Sequence, residues 1–209
     1  MRIVGLTGSI GMGKSTAANA LRRLGIPVHD ADAAVHRLLR TDRKLIAAID
    51  TAFPGVAGSN GIDRKALGAK VFGDPAALRR LESLIHPQVR RSESAFLRQM
   101  RARRRRVVVL DIPLLFETGA DRRCDATMVV AAPQFLQEQR VLGRAGMTRD
   151  RLSAIRARQT PDSEKLRRAD VVIPTGLDRN FALRILRQAL AVLRHSPLPR
   201  RDLRRRREI

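Results

Sequence analysis

The chain of 209 residues contains no tryptophan and no tyrosine, and six phenylalanines make up its aromatic complement. Surfaces that read RNA or single strands stack bases on aromatic rings, so this scarcity weighs against such a reader. One cysteine, Cys124, excludes an internal disulfide and any cysteine-based zinc site. No apolar run approaches the ~20 residues that cross a bilayer. The first apolar run, Ile3 to Leu6, is too short for a secretory segment. A cytoplasmic enzyme or a nucleic-acid binder is the expectation. Lysine is also scarce, with only Lys14, Lys44, Lys65, Lys70 and Lys165.

Arginine is abundant instead. Lys+Arg number 42 against 20 Asp+Glu, a net charge of +22 and a pI near 11.8. Such a charge attracts polyanions. It is spread over the chain, with dense runs at Arg101–Arg106 and from Arg194 to Ile209. The second run lacks a core-forming pattern and reads as a mobile basic tail, 194–209.

Short apolar runs alternate with helical patterns, which argues for an α/β fold with a parallel sheet flanked by helices. Strands are expected near Ile3–Leu6, Ile26–Val28, Val107–Leu110, Ala126–Val130 and Val171–Ile173. Residues 33–103 read as almost wholly helical with no strand, an insertion after the second strand. Within it, Asp63 and Asp74-Pro75 are helix starts, and His86-Pro87 reads as a helix stop between two helices.

Gly8-Ser9-Ile10-Gly11-Met12-Gly13-Lys14-Ser15 fits G-x-x-x-x-G-K-[ST], after an apolar strand and before a helix. Glycines at 8, 11 and 13 let backbone N–H groups turn toward a phosphate. The helix N-terminus adds its positive dipole end. Lys14 reaches the outer phosphates, Ser15 is placed to hold Mg²⁺ and Thr16 to support the α-phosphate. This is a P-loop NTPase-type core that binds ATP. The GTPase motif Asn-Lys-x-Asp is missing, since none of Asn19, Asn60 and Asn180 precedes a lysine. A small-molecule kinase with a helical acceptor insertion and a helical lid is favoured.

Ligands of open parallel sheets lie beyond the carboxyl ends of the strands. Asp30 and Asp32 follow the second strand. By position, Asp32 is equally a base for an attacking hydroxyl or a plain cap for a helix from Ala33. Asp111 ends an apolar strand, as a magnesium-binding carboxylate would. Arg140 and Arg144 lie one helical turn apart in the expected lid.

Gly8–Thr16, Asp30-Ala31-Asp32, Leu81-Glu82 with His86-Pro87, Pro113-Leu114-Leu115-Phe116-Glu117 and Gln139–Arg144 together resemble the dephospho-coenzyme A kinase family over residues 2–193. The resemblance implies ATP-dependent phosphorylation of the ribose 3′-hydroxyl of dephospho-coenzyme A. It makes Asp32 the base and Arg140 a catalytic lid arginine with Arg144 beside it. It assigns Arg64, His86, Leu114 and Leu115 to the acceptor. The implied division is a nucleotide core (1–32, 104–133 and 161–193), a coenzyme A domain (33–103) and a lid (134–160). No membrane and no specific nucleic acid are implied as partners. Another P-loop kinase of nucleoside or nucleotide type, or an arginine-rich nucleic-acid binder, is the alternative. Pro174-Thr175-Gly176 departs from the polar pair that many family members carry before this glycine.

Overall fold

The computed structural model describes residues 1–176 and 178–195, and the basic tail beyond 195 lies outside them. In chain order the elements are β1 (Arg2–Thr7), α1 (Lys14–Arg23), β2 (Val28–Asp30), α2 (Ala31–Thr41) and α3 (Arg43–Ala52). A hairpin, β3 (Ala57–Gly58) and β4 (Gly61–Ile62), precedes α4 (Arg64–Val71) and α5 (Pro75–Ala102). Then come β5 (Val107–Asp111), β6 (Ala126–Ala131), α6 (Gln134–Leu142), α7 (Arg149–Ala157), α8 (Asp162–Arg168), β7 (Val171–Pro174) and α9 (Arg179–His195). The chain divides into two compact units, one of Met1–His29 with the chain from Met100 onward, the other of Asp30–Gln99.

The first unit is built on a five-stranded sheet of order β2-β5-β1-β6-β7. β1 pairs in parallel with β5, Val4 beside Val109, and with β6, Leu6 beside Met128. Central strands covered on both faces must be apolar throughout. Val107–Leu110 and Ala126–Val130 are nearly so, and all of these residues are buried. Helices α1 and α9 supply Ala17, Ala18, Leu21, Leu186, Leu190 and Leu193 to the core. On β1, a Cβ added at Gly5 would lie 2.8 Å from Leu115 Cδ2 and 3.0 Å from Cys124 Sγ, so only glycine admits this packing. Helix α1 ends in a Schellman turn: Gly25 (φ 74°) donates to Arg22 O, and Ile26 donates to Leu21 O. The run Arg103–Arg106 is exposed and precedes β5. It therefore lies at the amino end of the parallel strands, opposite the loop that follows β1.

The second unit has its own core of Leu39, Leu45, Ile49, Phe53, Val56, Ile62, Leu67 and Leu81. Asp42, Asp63 and Asp74 cap its helices through their carboxylates. Three expectations need correction here. The 33–103 stretch contains a hairpin, with Ser59-Asn60 at the turn and Gly61 in the left-handed region at φ 98°. Its strands are two residues each, too short to leave a period in the sequence. Secondly, α5 runs unbroken for 28 residues through Pro87. Proline removes one N–H, that to Ser83 C=O, and its ring lies on the exposed side of the helix. The apolar stripe of Ala77, Leu81, Leu84 and Ile85 packs on the second core and holds the helix through the break. Thirdly, the cap of α2 is Asp30, whose Oδ1 accepts from Ala33 N–H at 2.9 Å. Asp32 lies inside the first turn of α2, exposed and without capping duty.

Candidate active site

The loop Gly8–Gly13 leaves β1 at its carboxyl end. A Cβ at Gly8 would collide with Val130 Cγ2, so β6 and the loop touch backbone to side chain. Gly11 and Gly13 adopt φ 78° and 85°, open to glycine at no cost. Gly13 then stands as the N-cap of α1 without any side-chain cap.

Three carbonyls of the loop are tied back, and Ile10 and Met12 N–H donate to Gln159 Oε1 and Ser9 O, while the amides of Gly11 and of Gly13 onward stay open. Gln137 Nε2 donates to Ile10 O at 2.8 Å, and Arg140 donates to Gly11 O at 3.4 Å. Thr175 Oγ1 donates to Met12 O at 2.5 Å. Among the described residues, the N–H groups of Gly11, Gly13, Lys14, Ser15 and Thr16 donate to no protein acceptor. Five open amides at a helix N-terminus are a cradle for a polyphosphate. Met12 itself is buried, its sulfur accepting Ala132 N–H at 3.2 Å.

Lys14 Nζ lies 2.5 Å from Asp111 Oδ1 at the end of β5, with side chains 16% and 3% exposed. The ammonium is thus anchored at the carboxyl end of β5, beside the end of β1 from which the loop leaves. Ser15 and Thr16 are exposed, and their hydroxyls bond to no protein group among the described residues. Ser15 and Asp111 offer hard oxygen donors, which suit Mg²⁺. No cluster of three or more His, Cys, Asp or Glu that could hold a metal occurs among the described residues.

Arg140 of α6 spans the rim. Besides Gly11 O, its guanidinium donates to Thr175 O at 2.8 Å, joining the loop to the turn after β7. Arg144 is exposed and its side chain makes no hydrogen bond among the described residues. Arg156 of α7 grips Gln137 Oε1 (2.5 and 3.1 Å) and Glu138 Oε1 (3.0 Å), so α6 and α7 are joined to the loop through Gln137. The Glu138 carboxyl ionises below the ordinary range because Gln134 and Arg156 donate to it.

Several of these partners carried no sequence signal. Gln137, Arg156, Gln159 and Thr175 are ordinary polar residues far along the chain from the loop. Lys165 did carry one: it is a rare lysine in an arginine-rich chain. It is fully buried, 3.0 Å from Ser9 Oγ and 3.1 Å from Glu117 Oε1. Glu117 was visible only as the end of Pro113–Glu117. Burial pushes its carboxyl up, but its own N–H, the Thr160 N–H and Lys165 outweigh this and leave it below the ordinary range.

Leu114 and Leu115 separate. Leu114 is 40% exposed, whereas Leu115 has no exposed surface and packs against Gly5. Leu115 is a core residue, and the expectation that it contacts the acceptor is corrected.

In the second unit, Asp32, Arg64 and His86 are all exposed. Asp32 and His36 lie one turn apart on α2, and Arg64 Nη1 is 3.4 Å from His36 Nδ1. His36, which the sequence did not single out, thus brings the expected base and the expected acceptor arginine into one neighbourhood. His86 stands on the exposed side of α5, and its side chain makes no hydrogen bond among the described residues.

A glycine-rich strand–loop–helix with tied carbonyls, five open amides and an anchored lysine, on a parallel sheet of this order, is the arrangement of P-loop kinases, and the chain is one of that class. The dephospho-CoA kinase family model (CoaE) matches residues 2–178. A dephospho-CoA kinase of Rhodospirillum rubrum is 61% identical over 193 residues, 92% of each chain. A crystal structure of a Thermus thermophilus protein has TM-score 0.79 and 37% identity, covering 91% of this chain and 96% of that one. A dephospho-CoA kinase from Campylobacter jejuni, 24% identical with TM-score 0.63, shares the fold over 92% of this chain and 97% of its own. The chain belongs to the dephospho-CoA kinase family, which uses ATP to complete coenzyme A synthesis. Among the described residues no helix is long and apolar enough to cross a membrane.

Proposed function

We propose that this chain phosphorylates the ribose 3′-hydroxyl of dephospho-coenzyme A with the residues placed above in distinct roles. The observation that carries the donor side is the set of open amides from Gly11 to Thr16 around a lysine anchored 2.5 Å from Asp111. Gly8, Gly11, Met12, Gly13, Lys14, Ser15 and Thr16 hold the ATP phosphates. Ser15 and Asp111 would hold Mg²⁺, which when bound offsets charge on the outer phosphates.

Asp32 accepts the proton of the 3′-hydroxyl. The freed oxygen forms a bond to the γ-phosphorus, the bond from that phosphorus to the β–γ bridging oxygen breaks, and its electron pair leaves with ADP. Phosphoryl transfer needs position and charge more than covalent help. Lys14, Arg140 and Arg144 supply the positive charge, Arg140 by leaving the Gly11 and Thr175 carbonyls for the phosphoryl group. Arg64, His86 and Leu114 are assigned to the acceptor, within a coenzyme A domain at 33–103 and, for Leu114, the turn after β5. The segment 134–160 serves as lid over a nucleotide core of 1–32, 104–133 and 161–193. The reading places the enzyme in the cytoplasm, where the buried thiol of Cys124 stays reduced.

The test is ADP release with ATP, Mg²⁺ and dephospho-coenzyme A, comparing the protein with Asp32→Asn. A general base contributes roughly 10²–10⁴-fold, so turnover falls by that factor while ADP binding is unchanged. Turnover equal to that of the unaltered protein removes Asp32 from the role.

A further inference from the structure

The most enclosed charge among the described residues, Lys165, lies behind the phosphate loop and is not used by the chemistry above. Lys165 directs its ammonium toward Ser9 Oγ at 3.0 Å and Glu117 Oε1 at 3.1 Å, with no surface exposed. Ser9 Oγ in turn donates to Asp162 Oδ1 at 2.5 Å. Glu117 Oε1 also accepts the Thr160 N–H at 2.8 Å, and Gln159 Oε1 accepts the Ile10 N–H at 3.3 Å. The segment 159–165 thereby holds the first two variable residues of the loop, one through its side chain and one through its backbone.

A buried ammonium is costly unless paired. This one is paired, and three facts show that it is placed for Ser9. Its reach ends on a loop residue 156 positions earlier in the chain. It cannot meet a nucleotide itself, because it has no exposed surface. And the chain, which elsewhere uses arginine for nearly every cation, keeps a lysine here. A compact ammonium fits between two oxygens 3.0 and 3.1 Å away, where a planar guanidinium would displace one of them.

We propose that Lys165 is a positioning residue for ATP: acting through Ser9, with Glu117 and Asp162, it fixes the loop in the conformation that leaves its amides open. The inference rests on the phosphate-binding reading of the loop. Amides that are already oriented bind phosphate without an ordering cost, so releasing Ser9 weakens nucleotide binding and leaves the acceptor unaffected.

The experiment compares Lys165→Met, Ser9→Ala and the double variant by calorimetric ADP binding, by KM for ATP and for dephospho-coenzyme A, and by thermal midpoint. The pair Lys165→Met with Glu117→Gln removes both charges together and serves if the single variant does not fold. Lys165→Met weakens ADP binding and raises KM for ATP about tenfold, as expected for loss of a charged hydrogen bond. KM for dephospho-coenzyme A stays within about twofold, and adding Ser9→Ala makes ADP binding no weaker, as for two residues on one route. Lys165→Arg does not restore ADP binding. ADP binding and KM for ATP unchanged beside a lowered thermal midpoint would make Lys165 a mere strut and overturn the proposal. Additive losses in the double variant would also overturn it, since Ser9 would not be the route. If the unaltered protein binds ADP but does not phosphorylate dephospho-coenzyme A, the proposed function fails while the ADP arm still decides the role of Lys165.

Discussion

In the proposed reaction the phosphate loop serves the donor and the first turn of α2 the acceptor, and the two are built in opposite ways. Around the loop, Ser9, Ile10, Gly11 and Met12 each make a hydrogen bond to a residue more than 100 positions away. In the second unit, Asp32, Arg64 and His86 are exposed, and the 3.4 Å approach of Arg64 to His36 is their one side-chain hydrogen bond among the described residues. The donor side is fixed before substrate arrives, whereas the acceptor side is open to water. Electrostatic catalysis works best from preorganised groups, which explains the rigid half. The proposed base must meet a proton on a separate molecule, which fits the solvated half.

The comparison can be broken first at Lys14. Lys14→Met removes the central charge and leaves Asp111 buried beside no ammonium. Turnover is expected to fall about 10²–10³-fold, as for loss of one transition-state donor. A fall below tenfold in steady-state ADP release would show that the anchored lysine is not central.

The second unit is broken structurally at Gly61. Its φ of 98° and the nearness of Leu39 O leave no room for a Cβ. Gly61→Ala should destabilise that unit by about 2 kcal/mol or more, read by denaturant unfolding. ADP binding by the loop should survive at denaturant concentrations where the variant is folded. Loss of ADP binding under those conditions would show that the two halves are less separable than their cores suggest.

Pro87→Ala returns the missing N–H to α5 and should raise stability by ~1–3 kcal/mol, measured by the same unfolding. No gain would mean that the helix relaxes around the proline and satisfies Ser83 C=O by other means.

The smallest effect concerns acid. Glu117 is held below the ordinary carboxylate range when folded, so it binds a proton more readily when unfolded. Its contribution to stability is therefore present above the usual carboxylate pKa and is lost as pH falls through the lowered folded value. Glu117→Gln should flatten this acid limb of the thermal midpoint, and an unchanged limb would mean that other carboxylates set it.

Legibility in the sequence followed the range of the interactions. The loop and the caps at Asp63 and Asp74 are local, and each was readable from a few consecutive residues. The central strands β5, β1 and β6 were readable because parallel strands buried on both faces are apolar almost throughout, whereas the second strand, expected at Ile26–Val28, runs over Val28–Asp30, an edge position that admits His29 and Asp30. The short hairpin at Ala57–Ile62 was not, although Asn60-Gly61 is a turn signal, because its strands hold two residues each. The continuity of α5 through Pro87 was hidden because the packing that maintains it lies in other helices. Asp30 rather than Asp32 caps α2, a choice of one carboxylate over its neighbour that only geometry decides. The network behind the loop spans up to 156 positions, so composition hinted at Lys165 while nothing local could name its partners.

The most direct test of the account is the product of a reaction with ATP, Mg²⁺ and dephospho-coenzyme A, followed by phosphorus NMR and mass spectrometry. The account predicts one ADP for each acceptor consumed, with the new phosphate on the ribose 3′-oxygen. ADP released at the same rate without acceptor, or phosphate on another oxygen, would contradict it.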